Sequence, residues 1–188
     1  MAVKQAIPYD DGHYFITITC YKWLPLIDLT RTYDNIYKWF DYLKTKGHFD
    51  TGYVIMPNYI HALIGFRNVC KSINKTIGDG KRFLSYEIVK RLEQQDETAI
   101  LFQLQAAVEP KDNERNKKHE VWSDSFDWKE CRCTHFIKQK LNYMHSNPCE
   151  GKWNLATHLK RMNTARPGFI QRESIPMACL PMPLTWKM

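Results

Sequence analysis

No stretch of this 188-residue chain approaches the roughly 20 consecutive apolar residues that a membrane-spanning helix needs. Its opening, Met1-Ala2-Val3-Lys4, lacks the apolar segment of a secretory leader, so the expected location is cytoplasmic, with no membrane partner. None of the six cysteines (Cys20, Cys70, Cys131, Cys133, Cys149, Cys179) sits in a CxxC pair. Cys131-x-Cys133 followed by His135 could be read as metal-ligating, yet the spacing fits no common zinc pattern. Reduced cytosolic thiols are the plainer expectation. Internal repeats and low-complexity tracts are also missing.

What the chain does have is material for a core. Hydrophobic residues make up 44% of it and aromatics 13%, which argues against a disordered chain. The length suits one compact domain, expected at residues 1–156, followed by an irregular basic tail at 157–188. The formal charge of +7 points to a polyanionic partner. Much of that charge lies in the tail, where Lys160, Arg161, Arg166, Arg172 and Lys187 face Glu173 alone. Basicity therefore permits nucleic acid without selecting it.

Periodicity supplies the elements. Asp10-Asp11-Gly12 reads as a turn leading into a β-branched and aromatic strand at 13–20. Tyr33, Ile36, Tyr37, Phe40 and Leu43 share one helical face, with Thr30 or Thr32 to cap it and Gly47 to end it. Strands at 51–56 and 59–66 flank Pro57-Asn58 and predict a hairpin. Ser72 caps a second helix that turns Ile73, Ile77, Leu84, Ile88 and Leu92 inward, with Gly78 and Gly80 weakening its middle. Residues 111–120 are charged without apolar rhythm and read as a surface loop. A fourth strand is expected at 121–126, then a helix capped by Thr134 and stopped by Pro148. This order predicts an α+β, ferredoxin-like βαββαβ fold, an antiparallel sheet with helices on one face.

Two places could carry chemistry. Alternation sets Tyr59, His61 and Leu63 on one face of the third strand. A second histidine at 59 would make a rigid metal clamp; tyrosine there is a poorer ligand, and His61 alone also suits a hydrogen-bonded structural histidine. On the last helix, Tyr143 shares a face with Gln139 and Asn147. A tyrosine can attack phosphorus when its phenol is deprotonated or the phosphate is polarised by a metal, but both residues equally suit an ordinary helix end. Lys81, Arg82, Lys90 and Arg91 on the second helix are candidate phosphate contacts or a solvated face. His135 and His145 are candidate proton carriers, and Trp122 and Trp128 are candidates for base stacking or for the core.

The stretch Val54-Ile55-Met56-Pro57-Asn58-Tyr59-Ile60-His61-Ala62-Leu63-Ile64 resembles the "MPNH-hydrophobic-H" signature of single-tyrosine HUH transposases, above all their REP-associated branch. Leu141-Asn142-Tyr143-Met144-His145-Ser146-Asn147-Pro148 is similar to that family's "YI-x-x-NP" helix. Val121-Trp122-Ser123-Asp124-Ser125-Phe126 resembles its "W-x-x-S/D-F" strand, and Tyr14-Phe15-Ile16-Thr17 its opening strand. The blocks fall in family order. The resemblance implies a DNA transposase that nicks and rejoins single-stranded or hairpin DNA as a homodimer. Tyr143 would be the nucleophile forming a 5′-phosphotyrosine link. His61 would be a ligand of Mg²⁺ or Mn²⁺, and Asn147 a third ligand or orienting group. Tyr59 occupies the position of the other metal histidine, and that departure should weaken metal binding. A rival reading follows: a decayed or repurposed copy that grips hairpin DNA without cutting. An RNA-binding ferredoxin-like domain is a third, disfavoured because its aromatic strand signature is missing.

The tail departs from the family as well. It holds four of the nine prolines and four of the seven methionines, without helical or strand rhythm beyond Leu159. Read from the third base of the Arg161 codon, residues 161–170 permit Tyr-Glu-His-Ser-Ser-Ala-Arg-Phe-Tyr. Relatives commonly continue past the "NP" helix with a segment of that kind, so the tail is expected to be an out-of-frame ending.

Overall fold

Alternation along three strands builds the centre of the molecule. A computed structural model describes residues 6–8, 11–67, 72–113, 116–123 and 125–147. Strand β1 (Gly12–Thr19), β2 (Phe49–Met56), β3 (Tyr59–Phe66) and β4 (Asp127–Glu130) form a four-stranded antiparallel sheet in the order β2-β3-β1-β4. β2 and β3 are the expected hairpin, with Met56 opposite Tyr59 across Pro57-Asn58. The turn is anchored beneath: Pro57 O accepts from Ile27 N at 3.0 Å and Asn58 O from Cys20 N at 2.8 Å.

The helices are α1 (Leu26–Thr30), α2 (Tyr33–Thr45), α3 (Ile73–Gln94), α4 (Thr98–Ala106), α5 (Pro110–Asn113) and α6 (Thr134–Ser146). Ser72 accepts from Lys75 N and caps α3 as its sequence suggests. Gly47, at φ +82°, takes the left-handed geometry that ends α2. Thr32 sits at the start of α2, but its hydroxyl bonds Thr30 instead of capping. Thr134 is the first residue of α6, not its cap; Cys133 takes the cap position.

Helices do not lie on one face. Tyr14, Ile16 and Ile18 of β1 with Ile60, Ala62 and Ile64 of β3 pack against Ile36, Trp39 and Phe40 of α2 and Ile77, Leu84 and Ile88 of α3. Phe15, Leu63, Val54 and Met56 point the other way and pack against Ile137, Leu141 and Met144 of α6. Both faces of the hairpin strands are apolar, so each demands a cover.

The fourth strand is also displaced. Val121, Trp122 and Phe126 are buried in the larger core, but only Trp122 forms a bridge, to Cys20. Ser125 turns through φ +55°, and pairing with β1 begins at Asp127, opposite Thr17. The apolar run fills space, and the more polar Asp127–Glu130 segment after it does the pairing. Within 111–120, the expected loop includes the last residues of α5. Pro148, Cys70, Cys149, Cys179 and the tail at 157–188 lie outside the described residues. No described helix is long and apolar enough to cross a membrane.

Candidate functional site

The face of β3 turned toward α6 carries Tyr59 and His61, and α6 brings Tyr143 and Asn147 to them. Thr17 lies directly across the β1–β3 ladder from His61, and its Oγ1 is 2.8 Å from His61 Nδ1 in a hydrogen bond. The His61 ring lies 4.6 Å from that of Tyr59, 5.5 Å from that of Tyr143 and 5.2 Å from that of Phe15, centroid to centroid. Tyr143 is half exposed and presents its ring edge-on to Phe15 at 6.0 Å. The Tyr59 hydroxyl donates to Asn147 Oδ1 at 2.5 Å, tying the start of β3 to the end of α6. Trp23, largely exposed, packs edge-on against Tyr59 at 5.9 Å.

Lys140, one turn before Tyr143, holds its ammonium 4.7 Å from the Phe15 ring, 5.6 Å from that of Tyr143 and 6.0 Å from that of Phe136. Burial, and secondarily the Lys140 charge, push the His61 imidazole down to about 4. It is therefore neutral at physiological pH. Burial, with Tyr143 beside it, pushes the Tyr59 phenol up to about 12, so it keeps its proton.

These residues do not make a fitting site for Mg²⁺ or Mn²⁺. A divalent ion of that hardness needs several oxygen donors or imidazoles turned toward one point. Here one imidazole is present, with Nδ1 already bonded to Thr17. The phenol of Tyr59 and the carbonyl of Asn147, the two oxygens nearest in sequence to the expected shell, bond each other. Among the described residues no group of three or more His, Cys, Asp or Glu is placed to hold a metal, Cys131, Cys133 and His135 included. Cys131 is buried and burial raises its thiol above the ordinary range.

Lys81, Arg82 and Lys90 of α3 lie away from this face, beside a cleft of about 800 Å³ lined on its other side by Asp112, residues 116–123 and Ser125. Lys81 spends its ammonium on the carbonyls of Ser123 (3.2 Å) and Ser125 (2.8 Å). Arg91 bonds the carbonyls of Thr30 and Arg31 together with Asp34 and Asn35. Both act as ties in the fold. Arg82 pairs with Asp79 at 3.0 Å on the surface, and Lys90 is exposed. Trp122 is buried, its Nε1 donating to Lys81 O, and Trp128 packs edge-on against Tyr14. His135 is exposed.

Sequence reasoning passed over Thr17 and Lys140. Thr17 stood in the matched opening strand on the face later shared with His61. Lys140 stood three residues before Tyr143, the spacing that places two side chains together on a helix.

A four-stranded antiparallel sheet with helices on both faces, carrying a tyrosine on a helix beside a strand histidine, defines an α+β class to which known structures compare. The fold is similar to that of a REP-associated tyrosine transposase solved bound to a REP hairpin, with a TM-score of 0.55 over 85% of this chain and 78% of that one, at 13% identity. A proposed transposase from Deinococcus radiodurans R1 aligns over 78% of this chain and 97% of its own, at 15% identity and a TM-score of 0.38. No protein-family model matches the chain, and no curated protein sequence is similar to it.

Proposed function

We propose that this chain is a DNA-binding protein on a tyrosine-transposase fold, holding single-stranded or hairpin DNA without metal-assisted strand cutting. We read the strand order β2-β3-β1-β4 as the ferredoxin-like layout that the sequence motifs imply. The likeness to a transposase bound to a hairpin supports DNA as the partner, and the net charge of +7 agrees with it. The observation that carries the reading is the Tyr59–Asn147 hydrogen bond. It replaces a ligand pair with a structural contact and leaves His61 as a neutral imidazole bonded to Thr17.

A second reading, strand nicking by Tyr143, is favoured by one observation: the half-exposed phenol stands beside His61 on an accessible face. Incubation with hairpin DNA carrying single-stranded flanks, in Mn²⁺, separates the two. Retarded but uncut DNA is expected. A covalent protein–DNA adduct that Tyr143→Phe abolishes overturns the binding-only reading and establishes the enzyme.

A further inference from the structure

Lys140 is half-buried on the face of α6 that meets β1 and β3, yet no carboxylate pairs with it among the described residues. Elsewhere in the fold Lys117, also half-buried, reaches Asp112 and Glu120, and even the more exposed Lys44 reaches Asp50 at 3.2 Å. Lys140 instead lies among the rings of Phe15, Tyr143 and Phe136, 4.7 to 6.0 Å from their centres. Ring faces hold a cation weakly at exposed sites and more firmly when desolvated, without consuming its N–H donors as a carboxylate would. The ammonium is thus oriented, and its charge is felt at His61, but among the described residues no acceptor takes its hydrogen bonds. Beside it stand the hydroxyl-bearing Tyr143, half open to solvent, and a neutral His61.

We propose that Lys140 is the phosphate-binding residue of this face: its ammonium takes a nonbridging oxygen of a nucleic-acid phosphate that lies against Tyr143. The assignment rests on the DNA-binding reading above and adds the group that seats the backbone. A charge-assisted N–H···O contact of this kind positions the strand without any divalent ion.

The test uses the full chain in EDTA, comparing wild type with Lys140→Gln, Lys140→Arg and, as a control, the exposed Lys138→Gln. Inorganic phosphate, titrated at constant ionic strength against an acetate series, is followed through the Tyr143 ring resonances. Affinity for a hairpin with single-stranded flanks is followed across a salt series. Phosphate is expected to shift the Tyr143 signals in wild type and Lys140→Arg but not in Lys140→Gln. Hairpin affinity is expected to fall roughly tenfold in Lys140→Gln, and the salt slope to lose about 0.7 to 0.9, the share of one phosphate contact. Lys138→Gln should leave the Tyr143 response to phosphate unchanged. Hairpin binding and salt slope unaltered by Lys140→Gln overturn the assignment while the DNA-binding reading stands. Equal responses to acetate and phosphate overturn it too. A protein that takes phosphate through Lys140 but ignores hairpin DNA overturns the DNA-binding reading instead.

Discussion

The hydroxyl of Tyr59 and the amide oxygen of Asn147 meet at 2.5 Å, although the two residues are 88 positions apart in the chain. Tyr59→Phe should cost about 1 kcal/mol, the net worth of one hydrogen bond, and free the end of α6. Amide exchange at residues 143–147 should accelerate more than exchange in α3. Unchanged protection at the end of α6 would show that the bond holds nothing in place.

Replacing Tyr59 by His should reverse the loss of donors. Mn²⁺ should then raise the unfolding midpoint, with stabilisation of about 2.7 kcal/mol at one hundred times the dissociation constant, while wild type stays unresponsive. DNA adducts should form with the variant in Mn²⁺ and vanish when Tyr143→Phe is added. If the variant responds to Mn²⁺ no more than wild type, ligand loss at position 59 is the wrong account.

His61 sets a pH dependence. Its imidazole titrates near 6.5 when exposed and near 4 in the fold, so unfolding takes up a proton between those values. Its contribution is complete above about pH 6.5 and is lost as pH falls toward 4, roughly 3 kcal/mol over the whole window. His13, His48 and His119 are depressed in the same direction by burial. Urea unfolding at pH 7 and pH 5 should differ by about 2 kcal/mol from His61 alone, and His61→Gln should flatten the difference by that much. An equally steep loss in the variant would assign the effect elsewhere.

Gly78 and Gly80 should respond oppositely to alanine. A Cβ at Gly78 meets nothing within 4 Å, so Gly78→Ala should stabilise α3 by about 0.5–1 kcal/mol. A Cβ at Gly80 would lie 2.3 Å from the Trp39 indole, where α2 and α3 press together, and Gly80→Ala should cost about 1–3 kcal/mol. Thermal unfolding of both variants decides; a shift in the same direction for each would contradict the packing described.

Arg91 and Lys90 adjoin in sequence but differ in task. Arg91→Ala should lose about 2 kcal/mol or more, because two carbonyls and two side chains lose a shared cation. Lys90→Ala should change stability by less than about 0.5 kcal/mol. Hairpin affinity of folded Arg91→Ala should match wild type; a large loss would make Arg91 a DNA contact after all.

Sequence by itself determined the local frame. Period-2 alternation put His61 and Tyr59 on one face of β3, Pro57-Asn58 closed the hairpin, Ser72 began α3, and helical spacing aligned Tyr143 with Asn147. These are short-range consequences of backbone geometry, and neighbours in sequence suffice to set them. Alternation says which residues share a face, however, and not what covers it. The Val121–Phe126 run has strand composition, but its bulk was needed in the core, so pairing with β1 passed to Asp127–Glu130. With both faces of the hairpin apolar, α6 closed over the side opposite α2 and α3. Only that placement brought Asn147 to Tyr59 and Tyr143 to His61, and left Lys140 among aromatic rings with no carboxylate in reach among the described residues. Those contacts join segments from 82 to 125 residues apart, and their energies depend on burial and on the third neighbour, quantities that exist only once the chain has packed.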